Sequence, residues 1–250
     1  MFSRQHPGAA SALLTFMLVL GMLVTAGSGG AGASDVPTQR PRPARAPVAP
    51  AGQPLVVLLR DHSVRSAPRA SARRISSVRA RRPLTRVHTV LPVLGRAANG
   101  RWVHVRLPGR PNGHAGWISA DGTKRRATDW RVTVRLKQRL VIVSRGTKVQ
   151  GRFRAVIGRP DAPTPRGRFF VEEGVPLKTL GAPYALALSS RSTVYDTFAG
   201  GPGQVALHGT TGVGGVPGTA GSHGCVRLSP RAMRWLSKRI GPGVPLTARR

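Results

Sequence analysis

The sequence predicts a mainly β protein with one helix near its C-terminus. Short apolar runs separated by turn-forming residues recur from residue 55 onward, as expected for strands. The 250 residues include 31 Gly and 22 Pro, which favour turns over helices. Helix signals are concentrated in one segment, where Ser229 can cap the N-terminus, Pro230 suits the first turn and Gly241 can end the helix. Its apolar face would hold Met233, Leu236 and Ile240.

The N-terminus has the features of a secretory signal. Residues 1–7 carry Arg4 and no acid, an apolar run covers residues 9–26, and Ala31-Gly32-Ala33 fits a small-residue cleavage site. We therefore predict a signal peptide over residues 1–33. An uncleaved membrane anchor is the alternative, and only then would the membrane be a partner. Either way the remainder would be exported, to the cell wall or the outer face of the cytoplasmic membrane.

Residues 34–54 are rich in Pro, Arg and Ala and predict an extended linker without a core. Residues 55–125 then contain several short apolar runs and predict a small β domain. This part resembles a bacterial SH3-like barrel. The resemblance depends on Trp102, Val105, Leu107, Gly116 and Trp117. Within it, residues 63–83 carry seven Arg and no acid, which predicts an exposed basic loop.

Residues 129–248 predict a second β-rich domain that ends with the helix. Residues 131–136 alternate apolar with polar side chains, and the apolar run 140–143 follows after a short turn, which indicates a hairpin. Residues 153–158 predict a third strand. Residues 159–167 contain three Pro and predict a loop before extended structure resumes at Phe169.

The charge balance restricts the chemistry. Forty Lys and Arg oppose eight Asp and Glu, which gives a net charge of +32. So few acids disfavour a two-carboxylate glycosidase or a carboxylate-rich Mg²⁺ or Ca²⁺ site. For an exported protein the expected polyanionic partners are cell-wall polymers rather than nucleic acid, although a solvated basic surface explains the charge equally well.

The candidate chemistry lies between His208 and Arg227. Cys225, the one cysteine, is embedded in Ser-His-Gly-Cys-Val-Arg-Leu and follows His208 by 17 residues. A glycine-rich loop between them could fold back and place the imidazole beside the sulfur, where an imidazolium would stabilise a thiolate nucleophile. A zinc site formed by His208, His223 and Cys225 is one alternative. A papain-like peptidase is disfavoured, because there the Cys precedes the His.

The His-Gly-Thr and Ser-His-Gly-Cys-Val-Arg-Leu motifs together closely resemble the L,D-transpeptidase catalytic domain, also called YkuD. The resemblance extends from Asp129 to Thr247. It includes Gly158, the segment 163–169 and the tail 241–244.

The resemblance implies a role for each matching residue and no cofactor or metal. Cys225 would be the nucleophile, His208 its base and acid, and the carbonyl of Gly209 would orient the imidazole. Backbone N–H groups of His223, Gly224 and Cys225 would form the oxyanion hole. The remaining implied roles are shaping of the cysteine loop by Ser222, His223 and Arg227, and a substrate-pocket contact by Tyr184.

The implied reaction is acyl transfer between peptidoglycan stem peptides. The Cys would attack the third residue of a tetrapeptide stem and release D-Ala, and the thioester would then pass to an amine of another stem as a 3→3 cross-link. Attack by water would instead make an L,D-carboxypeptidase. A non-catalytic wall-binding protein with a decayed transpeptidase domain is a further alternative. Members of this family are typically acylated by carbapenems.

Overall fold

A computed structural model describes residues 52–250. The predicted signal peptide, and the predicted linker up to residue 51, lie outside the described residues. The first seven strands are β1 (Gln53–Leu58), β2 (His62–Arg65), β3 (Arg74–Val78), β4 (Val90–Ala97), β5 (Trp102–Arg106), β6 (Ala115–Ser119) and β7 (Thr123–Thr128). They are followed by β8 (Trp130–Arg135), β9 (Leu140–Arg145), β10 (Lys148–Arg154), β11 (Ile157–Gly158), β12 (Gly167–Pro176), β13 (Tyr184–Arg191), β14 (Gln204–Gly209), β15 (Ala220–Ser222), β16 (Val226–Leu228), α1 (Pro230–Ser237) and β17 (Pro245–Arg249). The predicted mainly β class with one C-terminal helix is confirmed for this part of the chain.

The N-terminal part is a seven-stranded antiparallel sheet in the order β3-β2-β6-β5-β4-β1-β7. In β5 and β6 alternate residues are buried, as the period-two pattern requires. Its core contains Val56, Leu58, Val64, Leu91, Val103, Val105 and Ile118. The sheet begins at Gln53 and ends at Thr128, slightly beyond the predicted domain limits of 55 and 125. The SH3-like resemblance of this part stays a prediction.

The prediction of an exposed basic loop over residues 63–83 is wrong. This segment contains the rest of β2 and all of β3, which pair as an antiparallel hairpin. Val64 and Val78 are buried in the core, so each strand contributes an apolar side chain. Most of the arginines lie on the solvent side. Only Arg65 and Arg74 lie on the strands, and the other five arginines lie in the connecting segments, so the high charge of residues 63–83 does not prevent the two strands from forming.

The C-terminal part is built around an eight-stranded sheet in the order β10-β9-β8-β17-β12-β13-β14-β16. Helix α1 packs against β13 and β14. The core between helix and sheet holds the predicted helix face together with strand residues: Met233, Leu236, Ile240, Leu186, Leu188, Leu207, Val226 and Leu228. This packing fixes β14 and β16, which lead to the two ends of the His208–Cys225 region.

Helix α1 begins as predicted and ends early. The Ser229 hydroxyl accepts a hydrogen bond from the Ala232 N–H at 3.2 Å. The last helical residue is Ser237, before the predicted end at Gly241. Ile240 still reaches the core, because its N–H donates to the Leu236 carbonyl at 2.8 Å and continues the turn.

The two sheets belong to one compact unit and share buried contacts. Phe170 of β12 packs into the core of the N-terminal part. Arg82 from the N-terminal part forms an ion pair with Glu172 and lies 3.8 Å from Glu173, both buried on β12. Glu172 also pairs with Arg191 at 3.0 Å. The N-terminal part is thus packed against the eight-stranded sheet through apolar and charged groups.

Candidate active site

The parallel pairing of β14 with β16 positions the candidate chemistry. Leu207 pairs with Val226 and His208 with Arg227. Because side chains alternate across a strand, Leu207 and Val226 point into the core while His208 and Arg227 share the opposite face. Cys225 precedes β16 by one residue and lies on this same face.

The face opens into a cavity of about 400 Å³. The structure brings four of the predicted site residues to its lining: His208, His223, Cys225 and Arg227. The opposite wall comes from residues 192–203, which connect β13 to β14 and are called the cavity loop below. The other lining residues are Leu180, Ser192, Tyr195, Phe198, Ala199, Gly203, Gln204, Val205 and Val213.

The His208 ring is oriented by the backbone of the next residue. Its Nδ1 lies 2.8 Å from the Gly209 carbonyl oxygen. A carbonyl only accepts, so Nδ1 carries the proton and the lone pair of the neutral ring is on Nε2. Gly209 is buried, and a Cβ at this position would collide with the Ala182 carbonyl. The strand therefore needs glycine where its carbonyl holds the imidazole.

Burial favours the neutral form of both His208 and Cys225. It lowers the pKa of His208, helped by the positive charge of Arg227 and opposed by the hydrogen bond to Gly209. Burial also raises the pKa of Cys225, against the effects of a backbone hydrogen bond from Ala206 and of the Arg227 charge. Both pKa shifts favour the neutral forms of the pair, a thiol and an uncharged imidazole.

Ser222 shapes the cysteine loop from within. Its side chain is fully buried, donates to the Cys225 carbonyl and accepts from the Gly224 N–H at 3.2 Å. Gly224 has a φ of +113°, which disfavours any residue with a Cβ. The Gly224 N–H is engaged by this hydroxyl, which leaves the N–H groups of His223 and Cys225 as the better oxyanion candidates.

His223 lies between a guanidinium and two aromatic rings. Arg159 Nη1 is 2.8 Å from its Nε2 and donates to it. The rings of Tyr195 and Phe198 are centred 6.0 and 5.4 Å away. A cation on Nε2 would meet the Arg159 charge, which disfavours the alternative zinc site at this nitrogen. Among residues 52–250 there is no group of three His, Cys, Asp or Glu side chains placed to hold a metal ion.

Arg227 stabilises the glycine-rich loop that links the two motifs. Its Nη1 donates to the Val213 carbonyl at 2.9 Å. This bond fixes the loop over the cavity while the charge of Arg227 stays close enough to His208 and Cys225 to affect both pKa values.

Tyr184 is not brought to the cavity. It starts β13 two residues before Leu186, so both side chains fall on the core face of the strand. The Tyr184 ring packs against the core of the C-terminal part. Ala185, which pairs with His208, occupies the cavity face instead.

Sequence reasoning missed the aromatic side of the cavity. Tyr195 and Phe198 line it, and Arg159 donates to the Tyr195 hydroxyl at 3.2 Å. One signal was available: the chain has only two Tyr and six Phe, and Thr-Val-Tyr-Asp-Thr-Phe places one of each in an otherwise polar loop.

Comparisons with known proteins give one family match. The model of the L,D-transpeptidase catalytic domain family, YkuD, matches residues 129–247, just under half of the chain. No curated protein gives a significant match. Similar solved structures include an L,D-transpeptidase from Mycobacterium smegmatis, with 18% identity over 65% of this chain and 91% of that one and a TM-score of 0.42. Another, from Mycobacterium tuberculosis H37Rv, has 14% identity over 78% and 96% and a TM-score of 0.44.

A third structure is the catalytic domain of the E. faecium L,D-transpeptidase acylated by ertapenem. It has 23% identity over 50% of this chain and 99% of that one, with a TM-score of 0.37. These structural similarities are too weak to support the assignment, which rests on the sequence match. The matched segment contains both His208 and Cys225, and residues 129–247 of this chain are similar to the YkuD family of L,D-transpeptidase catalytic domains.

Proposed function

We propose that this protein is an exported, cysteine-dependent L,D-transpeptidase that forms 3→3 cross-links between peptidoglycan stem peptides. The supporting observation is the placement of Cys225 and His208 on one face of β14 and β16, in one cavity, with the imidazole oriented by the Gly209 carbonyl. This arrangement supplies a nucleophile and a base with its lone pair free at Nε2.

In the first half-reaction, His208 Nε2 takes the thiol proton as Cys225 Sγ attacks the carbonyl carbon of the third stem residue. The carbonyl oxygen becomes an oxyanion, to which the N–H groups of His223 and Cys225 are best placed to donate. Collapse of this intermediate breaks the amide C–N bond. The leaving D-Ala amine takes the proton from His208, and a thioester remains on Cys225.

In the second half-reaction, the side-chain amine of the third residue in another stem attacks the thioester carbon. His208 Nε2 accepts the proton that the amine loses. The C–S bond then breaks, the new amide is released, and the sulfur regains its proton from His208. Water in place of the amine would hydrolyse the thioester and give the carboxypeptidase product.

The charge and the family suggest where the enzyme works. Members of the YkuD family are generally cell-wall enzymes, and a net charge of +32 favours association with anionic wall polymers. None of the helices among the described residues is long and apolar enough to span a membrane. Export through the N-terminal signal is part of this proposal.

The most direct test is intact-protein mass spectrometry after incubation with a carbapenem. Because Cys225 is the one cysteine, we expect a single covalent adduct on the wild-type protein and none on Cys225→Ala. A tetrapeptide donor incubated with an amine acceptor should then give the cross-linked product. If the tetrapeptide donor is only hydrolysed to the tripeptide, that result would favour the carboxypeptidase. An unmodified wild-type protein would contradict the cysteine mechanism.

The pKa directions predict how Cys225 reacts with iodoacetamide, which alkylates thiolates. Since burial raises the pKa of Cys225 and lowers that of His208, alkylation should be slow at pH 6–7 and should increase only above about pH 8.5, the ordinary thiol pKa. Mass spectrometry reads the reaction directly, with a peptide containing a free Cys as reference. Rapid alkylation that persists down to about pH 5 would instead indicate a thiolate–imidazolium pair.

A further inference from the structure

The cavity loop has few internal contacts to fix its shape. The Ser192 hydroxyl accepts from the N–H groups of Val194 and Tyr195 at 3.2 and 3.0 Å, and Phe198 pairs with Gly201. Phe198 lines the cavity and yet is 48% exposed. The Ser192 N–H also donates to the Gly203 carbonyl at 2.7 Å and closes the base of the loop, so the position of the closed loop against the rest of the protein depends on contacts made from outside it.

Arg110 of the N-terminal part supplies such contacts. It lies between β5 and β6, and its Nη2 donates to the carbonyls of Ser192 and Tyr195, each at 2.9 Å. Its Nη1 donates to the Pro202 carbonyl at 3.1 Å. One guanidinium therefore joins the start of the cavity loop to its end. The adjacent carboxylate of Asp196, at 3.4 Å, is 98% exposed and adds little.

Asn112 anchors the same segment to the base of the cavity loop. Its amide nitrogen donates to the Arg191 carbonyl at 2.7 Å, and its amide oxygen accepts from the Arg191 N–H at 2.7 Å. The Gly109 N–H also donates to the Ser189 carbonyl at 3.2 Å. The segment that carries Arg110 is thus held against the end of β13 on both sides of the arginine.

We infer that Arg110 is a positioning residue for the reaction, through which the N-terminal part sets the shape of the substrate cavity. Its carbonyl contact at Tyr195 fixes the residue whose ring lies beside His223, and His223 lies two positions before Cys225. As a statement about catalysis, this inference rests on the proposed transpeptidase function.

The test compares Arg110→Ala with Arg60→Ala, a matched control. Arg60 is also an exposed arginine of the N-terminal part and also pairs with an aspartate, Asp121, but does not line the cavity. Arg110 is 39% exposed, so its loss should leave the fold intact. Arg110→Lys keeps the charge but lacks the planar fork that reaches three carbonyls, and should behave like Arg110→Ala.

Two measurements separate positioning from folding. In Arg110→Ala, amide hydrogen exchange within residues 192–203 should accelerate about tenfold while exchange in β8 and β9 is unchanged. The second-order rate of carbapenem acylation should fall about tenfold, because the wall that orients the ligand is no longer fixed. The rate with iodoacetamide, a small reagent that needs no such wall, should stay within about twofold of wild type. Arg60→Ala should match wild type in every measurement.

The outcomes are distinguishable. If Arg110→Ala matches wild type both in amide hydrogen exchange within residues 192–203 and in the rate of carbapenem acylation, the inference is wrong. If exchange accelerates throughout the protein, Arg110 has only a structural role and the inference is also wrong. If wild type is not acylated at all, the proposed function fails, whereas exchange within residues 192–203 still decides whether Arg110 positions the cavity loop.

Discussion

Replacing Arg82 with Ala is expected to lower the free energy of unfolding by about 3–5 kcal/mol, the range for breaking a buried ion pair from one side. Arg82 is the N-terminal partner of Glu172, and Glu172 and Glu173 are almost completely buried. The change would leave Glu172 with Arg191 alone and Glu173 with hydrogen bonds from Thr85 only. Urea unfolding followed by fluorescence measures the difference.

A matched control and a partial rescue support this interpretation. Arg79→Ala removes an exposed arginine three positions away and should change stability by about 0.5 kcal/mol or less. Adding Glu172→Gln to Arg82→Ala should recover part of the loss, because a neutral amide can still accept from Arg191 and needs no counter-charge. Equal stability of Arg82→Ala and Arg79→Ala would show that the ion pair does not hold the two sheets together.

Replacing His208 with Ala is expected to slow carbapenem acylation of Cys225 by about 10²–10⁴-fold, the usual contribution of a general base. The loss should be this large because burial raises the pKa of the Cys225 thiol, which then needs a proton acceptor when it attacks. Alkylation by iodoacetamide at a pH well above the thiol pKa should change little, since the thiolate is then formed without a base. The acylation rate by mass spectrometry and the alkylation rate measure the two effects.

His104→Ala is the matched control for this variant. His104 is a partly buried histidine that stacks on Trp117 in the N-terminal sheet and does not line the cavity. The His104→Ala variant should be acylated by the carbapenem at the same rate as wild type. If His208→Ala reacts with the carbapenem as fast as wild type, another group takes the proton and the proposed mechanism is wrong.

The sequence allows prediction of those parts of the candidate site whose positions depend on local sequence patterns. Alternation along β14 and β16 is visible in the sequence, and their glycine-bearing motifs predicted the neighbourhood of His208 and Cys225. The directions of the pKa shifts of His208 and Cys225 were not predictable, because they depend on burial of these residues in the folded protein. No local sequence pattern indicates that burial. The role of Tyr184 was implied only by the family resemblance, and its ring packs against the core of the C-terminal part.

The relation between the two parts of the chain could not be predicted either. The apolar runs predicted a small β domain for the N-terminal part, with an exposed basic loop over residues 63–83. In the structure Arg82, from that supposed loop, pairs with buried carboxylates of the other sheet. Such long-range pairing depends on which acids are buried on β12, and sequence spacing does not contain that information.

The parallel pairing of β14 and β16 also bears on how such an enzyme can diversify. The base lies on β14 and the nucleophile directly before β16, and the segment from 210 to 219 connects the two strands over the cavity, where Val213 contributes to the lining. Doubling the length of a flexible bridge costs only about 0.6 kcal/mol in closure entropy. Evolution, or an engineer, can therefore lengthen or exchange this bridge to accommodate new acceptors while the reacting atoms keep their relative placement.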